Sequence, residues 1–127
     1  MRLALAVLVT VLALPLSAAA APPLKVTFTA RTHTPKVNAK WFYVVRATAG
    51  GKPVKARITC QLVDPVGGVH AVLFGSTTKP ILNRPFTGSF RDFIRFPPES
   101  QGFKLTIRVT VKALGAKRVV SYWVRSR

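Results

Sequence analysis

From Leu24 onward the chain alternates apolar and polar residues, and turn residues break the alternation at short intervals. A period of two is the mark of a half-buried β-strand, whose successive side chains point to opposite faces. Residues 24–30 predict a first strand. Residues 41–48 predict a second, with Trp41, Tyr43, Val45 and Ala47 buried and Arg46 in water. Residues 54–62 predict a third. Its Val54, Ala56, Ile58, Cys60 and Leu62 face inward, and Lys55, Arg57, Thr59 and Gln61 face outward. Residues 69–74 form a short fourth strand and residues 86–96 a fifth, with Phe90, Ile94 and Phe96 in phase. Residues 103–114 carry the most regular alternation, from Phe103 and Leu105 to Ala113. Residues 118–125 close the series with Val120, Tyr122 and Val124 inward.

Glycine and proline punctuate these runs. Gly50-Gly51-Lys52-Pro53 and Asp64-Pro65-Val66-Gly67-Gly68 read as turns, because glycine takes positive φ freely and proline cannot extend a central ladder. Gly115-Ala116-Lys117 reads as a hairpin turn. Pro80 and Pro85 predict an irregular connection over residues 75–85, and Pro97-Pro98 ends the fifth strand. No stretch has helical periodicity. Seven short strands with regularly spaced turns are the pattern of an antiparallel β-sandwich, here filling residues 21–127 as one domain.

Residues 1–20 have a different character. Met1-Arg2 is a short positive start, residues 3–16 are apolar apart from Thr10, and small residues follow up to Ala21. Those are the three parts of a secretory signal peptide. Ala18 and Ala20 supply the small side chains that signal peptidase requires, placing the cut before Ala21. The competing reading is an uncleaved anchor, since the apolar run approaches the roughly 17–25 residues needed to span a bilayer. Pro15 and the alanines argue for cleavage. The expected location is therefore secreted or extracytoplasmic, with no transmembrane segment in the mature chain.

Charge narrows the function. The 127 residues hold 20 Lys and Arg against three acids. Cleavage would remove only Arg2 from this set, leaving 19 against Asp64, Asp92 and Glu99, a net +16. Cys60 is the single cysteine, so no internal disulfide braces the fold, and its strand phase buries it. Catalysis needs positioned acids, bases or nucleophiles. Only His33, His70, Cys60 and the three acids are on offer, with no nucleophile elbow, zincin helix or phosphate loop. An enzyme is not expected, nor a cofactor. His33 and His70 read as two unrelated surface histidines and no metal site is expected; His33, His70 and Asp92 are the candidate ligands should one exist, of the copper type that some exported sandwiches carry. Asp92 shares phase with Phe90 and Ile94, so it should point inward and meet a cation from another segment.

Residues 44–54, Val-Val-Arg-Ala-Thr-Ala-Gly-Gly-Lys-Pro-Val, resemble the strand–turn–strand signature of bacterial Ig-like domains. Carboxypeptidase-regulatory-like and transthyretin-like sandwiches share this turn. Thr32-His33-Thr34-Pro35-Lys36, followed by Trp41, Tyr43 and Phe90-Arg91-Asp92, looks like a group of small, stand-alone exported Ig-like proteins. The resemblance implies a seven-stranded Ig-like or fibronectin-like sandwich in an extracytoplasmic compartment. It supplies no site. The paired core cysteines of antibody-type domains are missing.

In an Ig-like order the third, sixth and seventh strands share a sheet. Its outer face would carry Lys55, Arg57, Lys104, Arg108, Lys112 and Arg125, with Trp123 in phase. Such a face attracts wall phosphate polymer, acidic polysaccharide or another polyanion. The expected function is thus a non-enzymatic binding domain for anionic envelope or extracellular polymers. The alternatives are a structural module with a protein partner, and a metal-binding sandwich. The processing expectation is testable alone: N-terminal sequencing of exported material should read from Ala21, within one residue, and full-length chain kept in the membrane would overturn it.

Overall fold

The alternation is realised as strands throughout residues 21–127, which a computed structural model describes together with Thr10; the expected signal peptide otherwise lies outside the described residues. In chain order the strands are β1 (Leu24–Ala30), β2 (Lys40–Ala49), β3 (Lys52–Pro53), β4 (Lys55–Val63), β5 (Val69–Ala71), β6 (Arg84–Thr87), β7 (Ser89–Arg95), β8 (Lys104–Ala113) and β9 (Ala116–Arg125). A 3-10 turn, Pro98–Ser100, precedes β8. Among the described residues no helix is long and apolar enough to cross a membrane.

All pairings are antiparallel, in two sheets. In the first, β2 is central: Tyr43 pairs with Ala30 of β1 on one side and Asp92 of β7 on the other, and β3 pairs with β2 at Thr48 and Ala49. In the second, β4 lies between β8 on one side and β5 and β6 on the other, and β9 follows β8. The inner faces meet in one core. Val45, Ala47, Ile58, Ile107, Val109, Val111 and Val124 are fully buried. Aromatic rings fill one end of it. Phe28 stacks on Tyr43 at 5.3 Å and on Tyr122 at 4.8 Å, and Trp41 meets Phe96 edge-on at 5.6 Å. Stacking of this kind adds to the area buried.

The expected strand phases hold for Trp41, Tyr43, Ala56, Cys60, Phe90 and Leu105, all buried. The count differs: among the described residues nine segments replace seven. The run predicted as one strand over residues 86–96 is two. β6 belongs to the second sheet and β7 to the first, and the chain changes sheets at Gly88. Gly88 has φ +73°, and an added Cβ would lie 2.7 Å from Pro53 Cβ. The neighbouring segment changes sheets in the same place, from β3 through Val54 to β4.

Three smaller corrections concern ends. The last hairpin turns at Leu114-Gly115, both at positive φ, and Ala116 already pairs with Ala113. Two positive φ values suit the twist of a two-residue hairpin. Phe103 precedes the first β8 pair, Lys104–Arg125, and is 55% exposed rather than buried. Residues 72–81 are more ordered than their prolines suggest. Leu73 bridges Pro80, and Val72 and Ile81 enter the core beside Cys60.

The β1–β2 connection protects an edge. Arg125 and Arg127 donate backbone N–H groups to the carbonyls of His33 and Pro35, and Val37 donates to Arg127. The free edge of β9 is thereby partly covered, which limits strand addition by other chains. Trp41 supports this loop by donating its indole N–H to the Thr32 carbonyl at 2.9 Å. Trp41→Ala should cost about 3–5 kcal/mol, from a total of about 5–15 kcal/mol. Gly88→Ala should cost more than Gly51→Ala, whose φ is also positive but whose added Cβ meets nothing within 4 Å. Urea unfolding checks both orders; equal costs for the two glycines would remove steric closeness as the reason for Gly88.

Candidate functional site

The second sheet places β4, β8 and β9 side by side, so their outward residues form rows across the strands. Arg57 pairs with Lys112, and Lys112 pairs with Lys117. Three cations therefore lie in one line, with Lys55 two residues along β4 on the same face. Lys55, Arg57 and Lys112 border a shallow groove of about 540 Å³, closed on its far side by Pro85 and Thr87. At the other end of the sheet Lys104 pairs with Arg125, and the Lys104 Nζ sits 6.0 Å from the Trp123 ring centre. Arg108 lies between the two groups and donates to Gln61 Oε1 from Nε at 3.3 Å and from Nη2 at 3.0 Å. Arg57 donates to the Asn83 carbonyl at 3.0 Å.

All seven residues read from the sequence as a basic face thus share one sheet face. They divide into two clusters with Arg108 between. Lys117 belongs to the row and was missed, because it was assigned to the turn rather than to β9. No Asp or Glu stands on this outer face among the described residues.

The metal candidates do not converge. His33 lies on the β1–β2 loop beside β9. Its ring stacks on Tyr122 at 4.0 Å and Trp123 at 4.1 Å, and Nδ1 donates to the Trp123 carbonyl at 2.6 Å. His70 sits on β5, at the opposite edge of the same sheet, where Nε2 donates to Asp64 Oδ2 at 2.8 Å. That bond, with backbone N–H groups of Gly68 and Val66, holds the Asp64 carboxyl below its ordinary range. No three potential metal-ligating side chains gather among the described residues.

Asp92 points inward as expected, but its partner is not a cation. The Gly75 N–H donates to both carboxylate oxygens, at 3.2 and 3.1 Å. This bond ties the 72–81 loop, which leaves the second sheet, to β7 of the first. Close packing requires glycine there, since an added Cβ would lie 2.5 Å from the Phe93 carbonyl oxygen.

Behind this tie lies the feature that sequence reading missed. An apolar cleft of about 870 Å³ enters between the sheets at their β5 and β7 edges. Its walls come from β4, the 64–66 turn, β5, the 72–81 loop, β7, the 97–103 segment and β8, so no single stretch of sequence announces it. Phe103, predicted inward, instead stands at its mouth.

Cys60 and Tyr43 meet in the core. Burial pushes the Cys60 thiol from 9.0 up to about 12, and it pushes the Tyr43 hydroxyl upward as well. The Tyr43 hydroxyl has no partner of hydrogen-bond geometry. A thiol so placed is no nucleophile.

No protein-family model matches the chain, and no curated protein matches it. Among solved structures the chain is similar to a DUF4426 family protein from Pseudomonas aeruginosa PAO1. The two are 20% identical over 79% of this chain and 86% of that one, with a TM-score of 0.44.

Because the folded state favours the neutral thiol, its contribution to stability is whole below pH 9.0 and is lost as pH rises toward about 12. The urea midpoint of the wild type should fall over that interval. Cys60→Ala should fall less steeply, which isolates the contribution of the thiol. Parallel curves for the two proteins would contradict the placement of the thiol.

Proposed function

We propose that the protein is an exported, non-enzymatic Ig-like binding domain that associates with anionic polymers of the cell envelope or its surroundings. Strand order supports the Ig-like assignment: β1, β2 and β7 oppose β5, β4, β8 and β9, the order of an immunoglobulin or fibronectin sandwich with β6–β7 as one strand that changes sheets. The export signal described above supports the location.

The observation that carries the ligand class is the row Arg57–Lys112–Lys117 with Lys55 beside it. Directly opposed like charges on neighbouring strands destabilise a sheet. A bound polyanion offsets that cost, and it releases its own counterions on binding. The repeat of Lys104, Arg108 and Lys112 at every fourth residue, about 13 Å apart, suits a linear polymer laid along β8. Guanidinium groups at Arg57, Arg108 and Arg125 suit phosphate or carboxylate.

The first sheet is also basic on its outer face, through Lys25, Lys40, Arg46, Arg91 and Arg95. It provides the control. Replacing Arg57, Lys104, Arg108 and Lys112 by Gln should remove most binding to wall phosphate polymer, acidic polysaccharide or DNA at low salt. Replacing Lys25, Lys40, Arg46 and Arg91 by Gln removes the same charge and should matter less. Wild-type affinity should fall linearly in log–log plots against salt. Equal losses in the two variants would mean that net charge alone is at work. Indifference of the wild type to every polyanion would leave a structural or protein-interaction module.

A further inference from the structure

The cleft between the sheets has no part in polymer binding, and it shares no outward residue with the basic face. We propose that it is a binding site for one monomeric anionic amphiphile, an alkyl or acyl chain bearing a phosphate or carboxylate head.

Its size comes first. About 870 Å³ lies within the roughly 300–1,000 Å³ of small-molecule sites, whereas close-packed cores leave few voids larger than a water molecule. Its depth is apolar. Val72 and Phe96 on its walls are 6% and 2% exposed and belong to the core, one from each side of the sandwich. Its mouth is apolar as well, and exposed: Val66 is 92%, Phe103 55% and Leu73 46% accessible. Apolar side chains gathered in this way on a soluble surface mark a contact site. Asp92 fixes the Gly75 backbone of the loop wall to β7, so these two walls keep a set relation to one another.

Charge sets the head and its direction. Arg95 lines the mouth with its guanidinium 5.3 Å from the Phe93 ring centre, and the Lys40 Nζ approaches the same ring at 4.9 Å. Lys40 and Arg95 are cross-strand partners, and neither has an acidic partner among the described residues. The other end of the mouth holds Asp64, His70 and Glu99. The Asp64 carboxylate is taken up by His70 and two backbone N–H groups. Glu99 repels an anion there. The anionic head accordingly lies at Arg95 and Lys40, and the chain runs inward past Ile94.

Titration of the processed protein with dodecyl phosphate, kept below its micelle concentration, tests this. One molecule should bind per chain, and the Ile94 methyl resonance should shift. Inorganic phosphate should not displace it. The double variant Leu73→Glu, Phe103→Glu should weaken binding at least about tenfold. Both side chains are exposed, so its melting temperature should stay near that of the wild type. Arg95→Gln should weaken dodecyl phosphate several-fold and leave dodecyl maltoside unchanged. The Gln variant of Arg57, Lys104, Arg108 and Lys112 should bind dodecyl phosphate normally, so this site and the polymer face fail or stand separately. The proposal is overturned if dodecyltrimethylammonium binds as tightly as dodecyl phosphate. It is likewise overturned if anionic vesicles bind while the monomer does not, or if Ile94 stays silent.

Discussion

Ala47 offers its N–H to the Gly88 carbonyl at 2.8 Å and its own carbonyl to the Val54 N–H at 3.3 Å, and Gly88 donates to the Val54 carbonyl at 3.0 Å. This closed triangle of backbone bonds stands where two strands leave one sheet for the other side by side. Every buried N–H and C=O needs a partner, and a strand that changes sheets would ordinarily orphan several. Here the three residues satisfy one another. The arrangement demands a residue without a side chain at 88, because Pro53 occupies the space. Register on both sides follows from it. Ala47 aligns β2 with β1, Val54 delivers β4 with Ala56 and Ile58 inward, and Gly88 delivers β7 with Phe90 inward. With no disulfide to join the sheets, this corner and the apolar core between them carry that task.

The sequence made the strands and their phases legible because one face of each is wet. Alternation in β2, β4 and β8 could be assigned inward or outward from Arg46, Arg57 and Arg108 alone. It was weaker where a strand spans two sheets. Residues 84–95 keep a period of two through Gly88, so pattern alone could not show that Phe86 and Phe90 belong to different sheets. The basic face was legible for the same reason as the strands, since outward residues of neighbouring strands must share a face once pairing is known. Lys117 escaped because the hairpin turn is Leu114-Gly115 and ends two residues before Lys117. The cleft was not legible at all. It is built from seven segments, and its Phe103 and Leu73 fit an alternating pattern while facing water.

The three acids of the chain are not scattered among its cations. Asp64 and Glu99 border the cleft and Asp92 lies behind it, leaving both outer sheet faces without a carboxylate among the described residues. Screening over about 8 Å at physiological salt keeps the mutual repulsion of such faces tolerable. Threonines separate the charges along β8, with Thr106 and Thr110 between Lys104, Arg108 and Lys112. The result is a molecule with two cationic faces and one apolar, partly acidic edge. Those are surfaces of different chemistry, and they need not share a ligand.

Asp92 shows how the two are reconciled. A carboxylate turned into a sandwich needs compensation, and in a chain so rich in arginine an ion pair was the natural expectation. A buried cation would itself have required desolvation, and attraction repays that only with excellent geometry. The backbone N–H of Gly75 compensates the carboxylate without bringing in a second charge. It calls for no arginine in the interior beside the carboxylate. It also converts the acid from one half of a pair into a strut between sheets, since Gly75 belongs to the loop of one and Asp92 to the strand of the other. The bond fixes the loop wall of the cleft against β7 without filling the volume beside it. The same choice that spares the interior a second charge thus sets the position of that wall.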